Sequence, residues 1–122
     1  MTEPVFEITR TAHFDAAHSL PDGPRPEYRR LHGHSFRVEA TVRGGIDGAT
    51  GWVADLGALK EALDAAAGEL DHGHLNEVGG LENPTLERLC LHFAGRLKAQ
   101  FPGLSRITVS RPTVGEACSL EL

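Results

Sequence analysis

At 122 residues, with 40% hydrophobic and 24% charged positions, the chain is the length of one ordinary globular domain. Its formal charge of -5 argues against a nucleic-acid or anionic-membrane surface, and no run reaches the roughly 18 apolar residues of a membrane span. Cys90 and Cys118 form no C-x-x-C motif, and MTEPVFEITR shows no apolar run behind basic residues. A reducing, cytoplasmic setting is therefore expected.

Residues 5–18 read as a strand, with Phe6, Ile8, Ala12, Phe14, Ala16 and His18 sharing one parity and His13 on the other. Residues 19–31 hold three of the seven prolines and read as a loop, which also carries a basic cluster of Arg25, Arg29 and Arg30. Residues 32–44 alternate most clearly, with Phe36, Val38, Ala40 and Val42 facing one way and His32 and His34 on the same parity. A glycine-rich turn leads to Asp55, which caps a predicted helix running to about Leu70, with Leu56, Leu59, Leu63 and Leu70 near one face. Asn83 and Pro84 predict the start of a second helix, whose Leu86, Leu89, Cys90, Phe93, Leu97 and Phe101 keep helical spacing. Two short strands, 105–111 and 117–122, complete the chain. The order is ββααββ: a single α+β domain over 1–122, with two helices on one face of a four-stranded antiparallel sheet. So few elements leave sheet surface uncovered, which suggests a homo-oligomer.

Seven histidines is a high count, and five of them cluster at loops and strand ends. His32-Gly33-His34 puts two imidazoles on one strand face, and Gly33 leaves room for close approach. If the first two strands form an antiparallel hairpin, His18 falls opposite them. Three neutral imidazoles suit Zn²⁺, and three protein ligands with an open fourth position mark a catalytic site. An isolated H-x-H at a strand end is equally compatible with simple solvent exposure, so spacing alone leaves both readings standing.

The segments FDAAHSL (14–20) and LHGHSF (31–36) resemble the zinc-binding signature of the 6-pyruvoyltetrahydropterin synthase family. The likeness is strongest to the bacterial branch that makes 6-carboxytetrahydropterin for queuosine and other 7-deazaguanines. It continues through TGWVADLGALK (50–60), ELDHGHLNEV (69–78) and GLENPTLERL (80–89). The resemblance implies the T-fold, zinc held by His18, His32 and His34, and an Asp71–His72 pair that handles protons. It implies trimers or hexamers with the pocket between subunits. It further implies a lyase that converts 7,8-dihydroneopterin triphosphate to 6-carboxy-5,6,7,8-tetrahydropterin, acetaldehyde and triphosphate. Guanidinium forks match phosphate oxygens, so Arg25, Arg29 and Arg30 are candidates to receive the triphosphate. A polar loop at Asp71–His72 and a solvated basic loop at the arginines are the plain alternatives. His74 is a spare, and His92, on the helix face of Arg88 and Arg96, is expected to be solvated.

Two departures touch the chemistry. Tyr28 stands where the bacterial branch keeps its catalytic cysteine, and Glu27 beside it is the better base, since a phenol deprotonates near pH 10. The family's pterin-anchoring glutamate has no direct counterpart in SRPTVGEACSLEL; Glu116 and Thr113 are the candidates, because a carboxylate accepts two N–H bonds at once. Glu27 chemistry would give 6-hydroxymethyl-dihydropterin or 6-pyruvoyl-tetrahydropterin instead. A non-catalytic zinc- and pterin-binding member is the remaining family reading, and a generic zinc hydrolase the reading outside it.

Overall fold

The computed structural model describes residues 3–122. Two long strands dominate it, β1 (Phe6–His18) and β2 (His32–Gly44), and they pair antiparallel along their whole length from Phe6↔Gly44 to His18↔His32. Strand β4 (Leu104–Arg111) adds to β2 with a register shift at Thr41/Val42, and β5 (Glu116–Glu121) adds to β4. Helices α2 (Leu56–Leu70) and α3 (Leu86–Leu97) pack on one face, α2 against β1 and α3 against β4 and β5. The fold is the expected α+β arrangement.

The differences in detail have local causes. A two-residue strand β3 (Gly73–His74) runs parallel to Ala16–Ala17, making the sheet five-stranded in the order β3-β1-β2-β4-β5. Two residues are too few for any periodic signal. The proline loop contains one helical turn, α1 (Pro26–Arg29), with Pro26 supplying the fixed φ of a first helical position. Helix α3 begins at Leu86 and not at Pro84, because the Thr85 side chain accepts the Arg88 N–H at 3.2 Å. Leu56 is exposed, and the inward stripe of α2 is Leu59, Leu63, Ala66, Ala67 and Leu70.

The core lies between this helical layer and the inward parity of the sheet. Phe14 and Phe36 stack at 4.9 Å, and Phe93 from α3 tilts against Phe14 at 5.7 Å. Each fully buried large apolar side chain contributes about 1.5–3 kcal/mol, so these three rings fix the hairpin against α3. The same inward stripe continues to His18, which is 0% exposed and packs edge-on to Phe36 at 5.9 Å. At the opposite end of the hairpin, Phe6, Ile8, Ile46, Trp52 and Leu56 line a shallow apolar cleft of about 340 Å³. No helix among the described residues is long and apolar enough to cross a membrane.

Candidate metal centre and substrate cavity

Strand register alone brings the three histidines together. His18 pairs directly with His32, and Ala16 pairs with His34, so all three side chains project from the inward face at one end of the hairpin. Their ligand atoms lie within 4.8 Å of one another. The ring centroids are 4.7 Å apart for His18 and His32, 5.1 Å for His18 and His34, and 4.8 Å for His32 and His34.

Backbone carbonyls set two of the tautomers. His18 Nδ1 is 3.1 Å from the Pro84 carbonyl oxygen, and His32 Nδ1 is 2.7 Å from that of Arg30. A carbonyl only accepts, so each Nδ1 carries the hydrogen and each Nε2 presents its lone pair. Those two Nε2 atoms face each other at 3.1 Å. Two opposed lone pairs repel unless a cation or a shared proton lies between them. Imidazoles oriented by carbonyls on their far nitrogens are also the usual outer arrangement of a metal-ligating histidine. The residues therefore fit a divalent metal, and nitrogen donors of this type suit Zn²⁺.

Electrostatics favours the neutral form of His18 and His34. Burial pushes His18 down to about 4, with His32, His34 and Arg111 adding to the effect against the hydrogen bond to Pro84. His34 is lowered by burial, then by the Arg111 cation and His32, while Glu116 opposes. A metal needs the unprotonated ring, so both shifts favour loading.

His34 lies between two clefts. One, of about 670 Å³, is lined by Glu27, Tyr28, Arg30, His32, His34, Arg111 and Glu116 among others. The other, of about 550 Å³, is lined by Asp15, His34, Ser35, His72 and Thr113 among others. Of the candidates from sequence, Glu27, Arg30 and Glu116 thus share a cavity with two of the ligands. Asp71, His72 and Thr113 lie toward the second cleft.

Glu27 sits on α1, 4.0 Å from Arg25, and the turn that carries it closes through Leu20 N–H donating to the Tyr28 carbonyl at 2.7 Å. Gly23 is required there, since a Cβ would come within 2.8 Å of the Tyr28 Cβ. Asp71 Oδ1 accepts the Asp15 N–H at 2.9 Å, and its Oδ2 is 3.5 Å from His72 Nε2. His72 takes the left-handed conformation, φ 59°, which holds its N–H on the Asp15 carbonyl at 2.7 Å and leaves its side chain 85% exposed.

Neither cysteine lines either cleft. Cys90 is buried under β4 and β5 with its thiol pushed up to about 12, first by burial and then by Cys118. Arg29 is turned away, donating to the Gly23 carbonyl at 2.8 Å. His13 is exposed, as its parity requires, and His74 is half-buried, 3.4 Å from Glu77. His92 is not solvated: it is half-buried with Nε2 enclosed, because α3 is flanked by Glu69 and Arg96 of the α2–α3 ion pair.

The sequence reading missed Arg111, whose Nε is 2.9 Å from Glu116 and whose side chain is 13% exposed. A signal existed: Arg111 continues the inward parity of Ile107 and Val109, an unusual place for a cation unless it serves a site. The Pro84 and Arg30 carbonyls left no side-chain signal at all.

A ββααββ T-fold with a histidine triad at the hairpin end defines a class of pterin-processing enzymes. The chain belongs to the 6-pyruvoyl tetrahydropterin synthase family, matching its profile over residues 7–121, and lies close to the bacterial 6-carboxytetrahydropterin synthase branch. It is 39% identical over 96 residues to the dihydroneopterin monophosphate aldolase of Pyrococcus furiosus, covering 79% of this chain and 78% of that one. It is 40% identical over 108 residues to the 6-carboxy-5,6,7,8-tetrahydropterin synthase of Synechocystis, covering 84% and 83%. The structure of the Caenorhabditis elegans 6-pyruvoyl tetrahydropterin synthase superposes with a TM-score of 0.82 at 21% identity, covering 100% of this chain and 99% of that one.

Proposed function

We propose that the chain is a zinc-dependent carbon–carbon lyase acting on a phosphorylated 7,8-dihydroneopterin, with Glu27 as the base. The carrying observation is that Glu27 lines the same cavity as His32 and His34, while no cysteine does. His18, His32 and His34 hold the metal, which supplies Lewis acidity toward the side-chain hydroxyls of the substrate.

Glu27 takes the proton of the second side-chain hydroxyl. The bond between the first and second side-chain carbons then breaks, its electron pair passing to the carbon attached to the pterin. A proton delivered there completes 6-hydroxymethyl-dihydropterin, and the other fragment leaves as a two-carbon aldehyde still carrying phosphate. His72, oriented by Asp71, gives up that proton and regains one through water from Glu27, so both groups end as they began. Glu116 accepts from the pterin N–H and amino groups, Thr113 adds a hydroxyl partner, and Arg30 meets the phosphate. The exposed His72 faces outward, in keeping with a trimer or hexamer whose Asp71–His72 pair serves a neighbour's metal.

The second reading, favoured by the 40% identical Synechocystis relative, is formation of 6-carboxy-5,6,7,8-tetrahydropterin with loss of acetaldehyde and triphosphate, the product linked to queuosine. Zinc-reconstituted protein incubated with dihydroneopterin monophosphate and triphosphate separates the two by mass spectrometry of the pterin and of the trapped aldehyde. A phosphorylated two-carbon aldehyde is expected. Acetaldehyde would select the second reading, and no aldehyde from either substrate would overturn both. Light scattering on the same preparation should give three or more subunits; a monomer mass would remove the shared-site arrangement.

A further inference from the structure

We propose that Asn76 is a positioning residue for the metal, acting through His18; this rests on the metal reading above. Pairing of β1 with β2 ends at His18↔His32, so Ser19 follows a metal ligand with no strand partner for its backbone. Asn76 takes that partner's place. Its Oδ1 accepts the Ser19 N–H at 2.9 Å, and its Nδ2 donates to the Ser19 carbonyl at 2.8 Å and to the Glu82 carbonyl at 3.3 Å. The amide satisfies both backbone groups of Ser19, the residue after His18, and ties them to the stretch that ends at Pro84. The Pro84 carbonyl in turn holds the His18 ring at Nδ1.

The clamp is continuous. Asp71 and His72 bond both backbone groups of Asp15, β3 pairs with Ala16 and Ala17, Asn76 bonds Ser19, and Pro84 bonds the His18 ring. Residues 71–84 thus fix the end of β1 from the side opposite β2. His32 lacks this support and depends on its own neighbour, Arg30. Among the carbonyl-oriented ligands, His18 is the one whose direction is set by a different segment of the chain. Asn76 holds the backbone end of that lever.

Removing a group bonded directly to a ligand costs metal affinity about 10–100-fold, and Asn76, one link further out, is expected at the lower end, about 10-fold. Asn76→Ala should weaken zinc binding by that factor in a chelator competition, and the visible spectrum of the Co²⁺-substituted variant should shift, reporting altered ligand geometry. Asn76→Asp keeps the size and the acceptor for Ser19 N–H but turns a carboxylate toward two carbonyls; it should weaken zinc at least as much and provides a second variant should the first not fold. A purely structural role predicts a lower melting temperature of the metal-free protein with unchanged zinc affinity and Co²⁺ spectrum, and that result would overturn the proposal. Wild-type protein that binds no zinc would instead overturn the metal reading, and this inference with it.

Discussion

The two ends of the β1–β2 hairpin are built on opposite plans. At the His18 end, side chains are aligned by direct strand pairing, two imidazoles are oriented by backbone carbonyls, and Phe36 packs against His18 and His34. Glu27 and Arg30, which line the cavity beside the triad, sit instead on and just after a single helical turn whose residues are all exposed. Rigid sheet places the histidine triad; a short, lightly held turn places Glu27, the proposed base. The triad is thus fixed by architecture that would be costly to alter, whereas the residue at position 27 can differ without disturbing the fold. Relatives at 39% and 40% identity carry names for different reactions.

The comparison can be broken most severely at the rigid side. His32→Ala should reduce bound zinc from about one per chain to almost none, measured by metal analysis after dialysis. Because the opposed lone pairs at 3.1 Å disappear as well, the metal-free variant should melt no lower than metal-free wild type. A large loss of melting temperature without metal would show that the triad is a structural cluster. At the exposed turn the effect is on rate alone. Glu27→Gln should lower kcat by about 10²–10⁴-fold with zinc content and KM little changed. Loss of zinc in this variant would mean that the turn and the metal are not separable.

Acid provides the smallest and most graded test. His18, His34 and His92 are all held below the ordinary histidine range near 6.5, His18 at about 4, each by burial first; Arg96 adds to His92 and Glu69 opposes. The unfolded chain regains the ordinary value, so between 6.5 and 4 it binds protons that the folded metal-free chain refuses. Stability is then full above pH 6.5 and declines as pH falls toward 4, by up to about 1.4 kcal/mol per pH unit for His18. Urea midpoints in the presence of chelator should follow this slope; a flat profile would place these rings in contact with water.

Much of the rigid side was legible in the sequence, because strand parity is a strict two-residue rule. Phe14, Phe36, His18, His32 and His34 follow it without exception. Helix α2 was legible through its Asp55 cap, which accepts from Gly57 and Ala58. What lay beyond the sequence at the site depends on backbone groups meeting across long separations. Pro84 is 66 residues from His18 and Asn76 is 57 from Ser19, and no local pattern encodes either contact. The start of α3 differs for a local reason, since Thr85 and not Asn83 supplies the cap. Arg111 was readable in principle, as a cation on an apolar parity, and shows that such exceptions merit more weight than the stripe around them.

The chain has one tryptophan and one tyrosine. Trp52 lies in the apolar cleft at the far end of the hairpin, and Tyr28 lines the cavity beside the metal ligands. Thirteen residues of β1, about 40 Å at strand rise, separate the two ends. The molecule therefore carries two optical reporters at separate places. Tryptophan emission follows the region around Trp52, and the tyrosine signal left after the tryptophan contribution is subtracted follows the turn that bears Glu27.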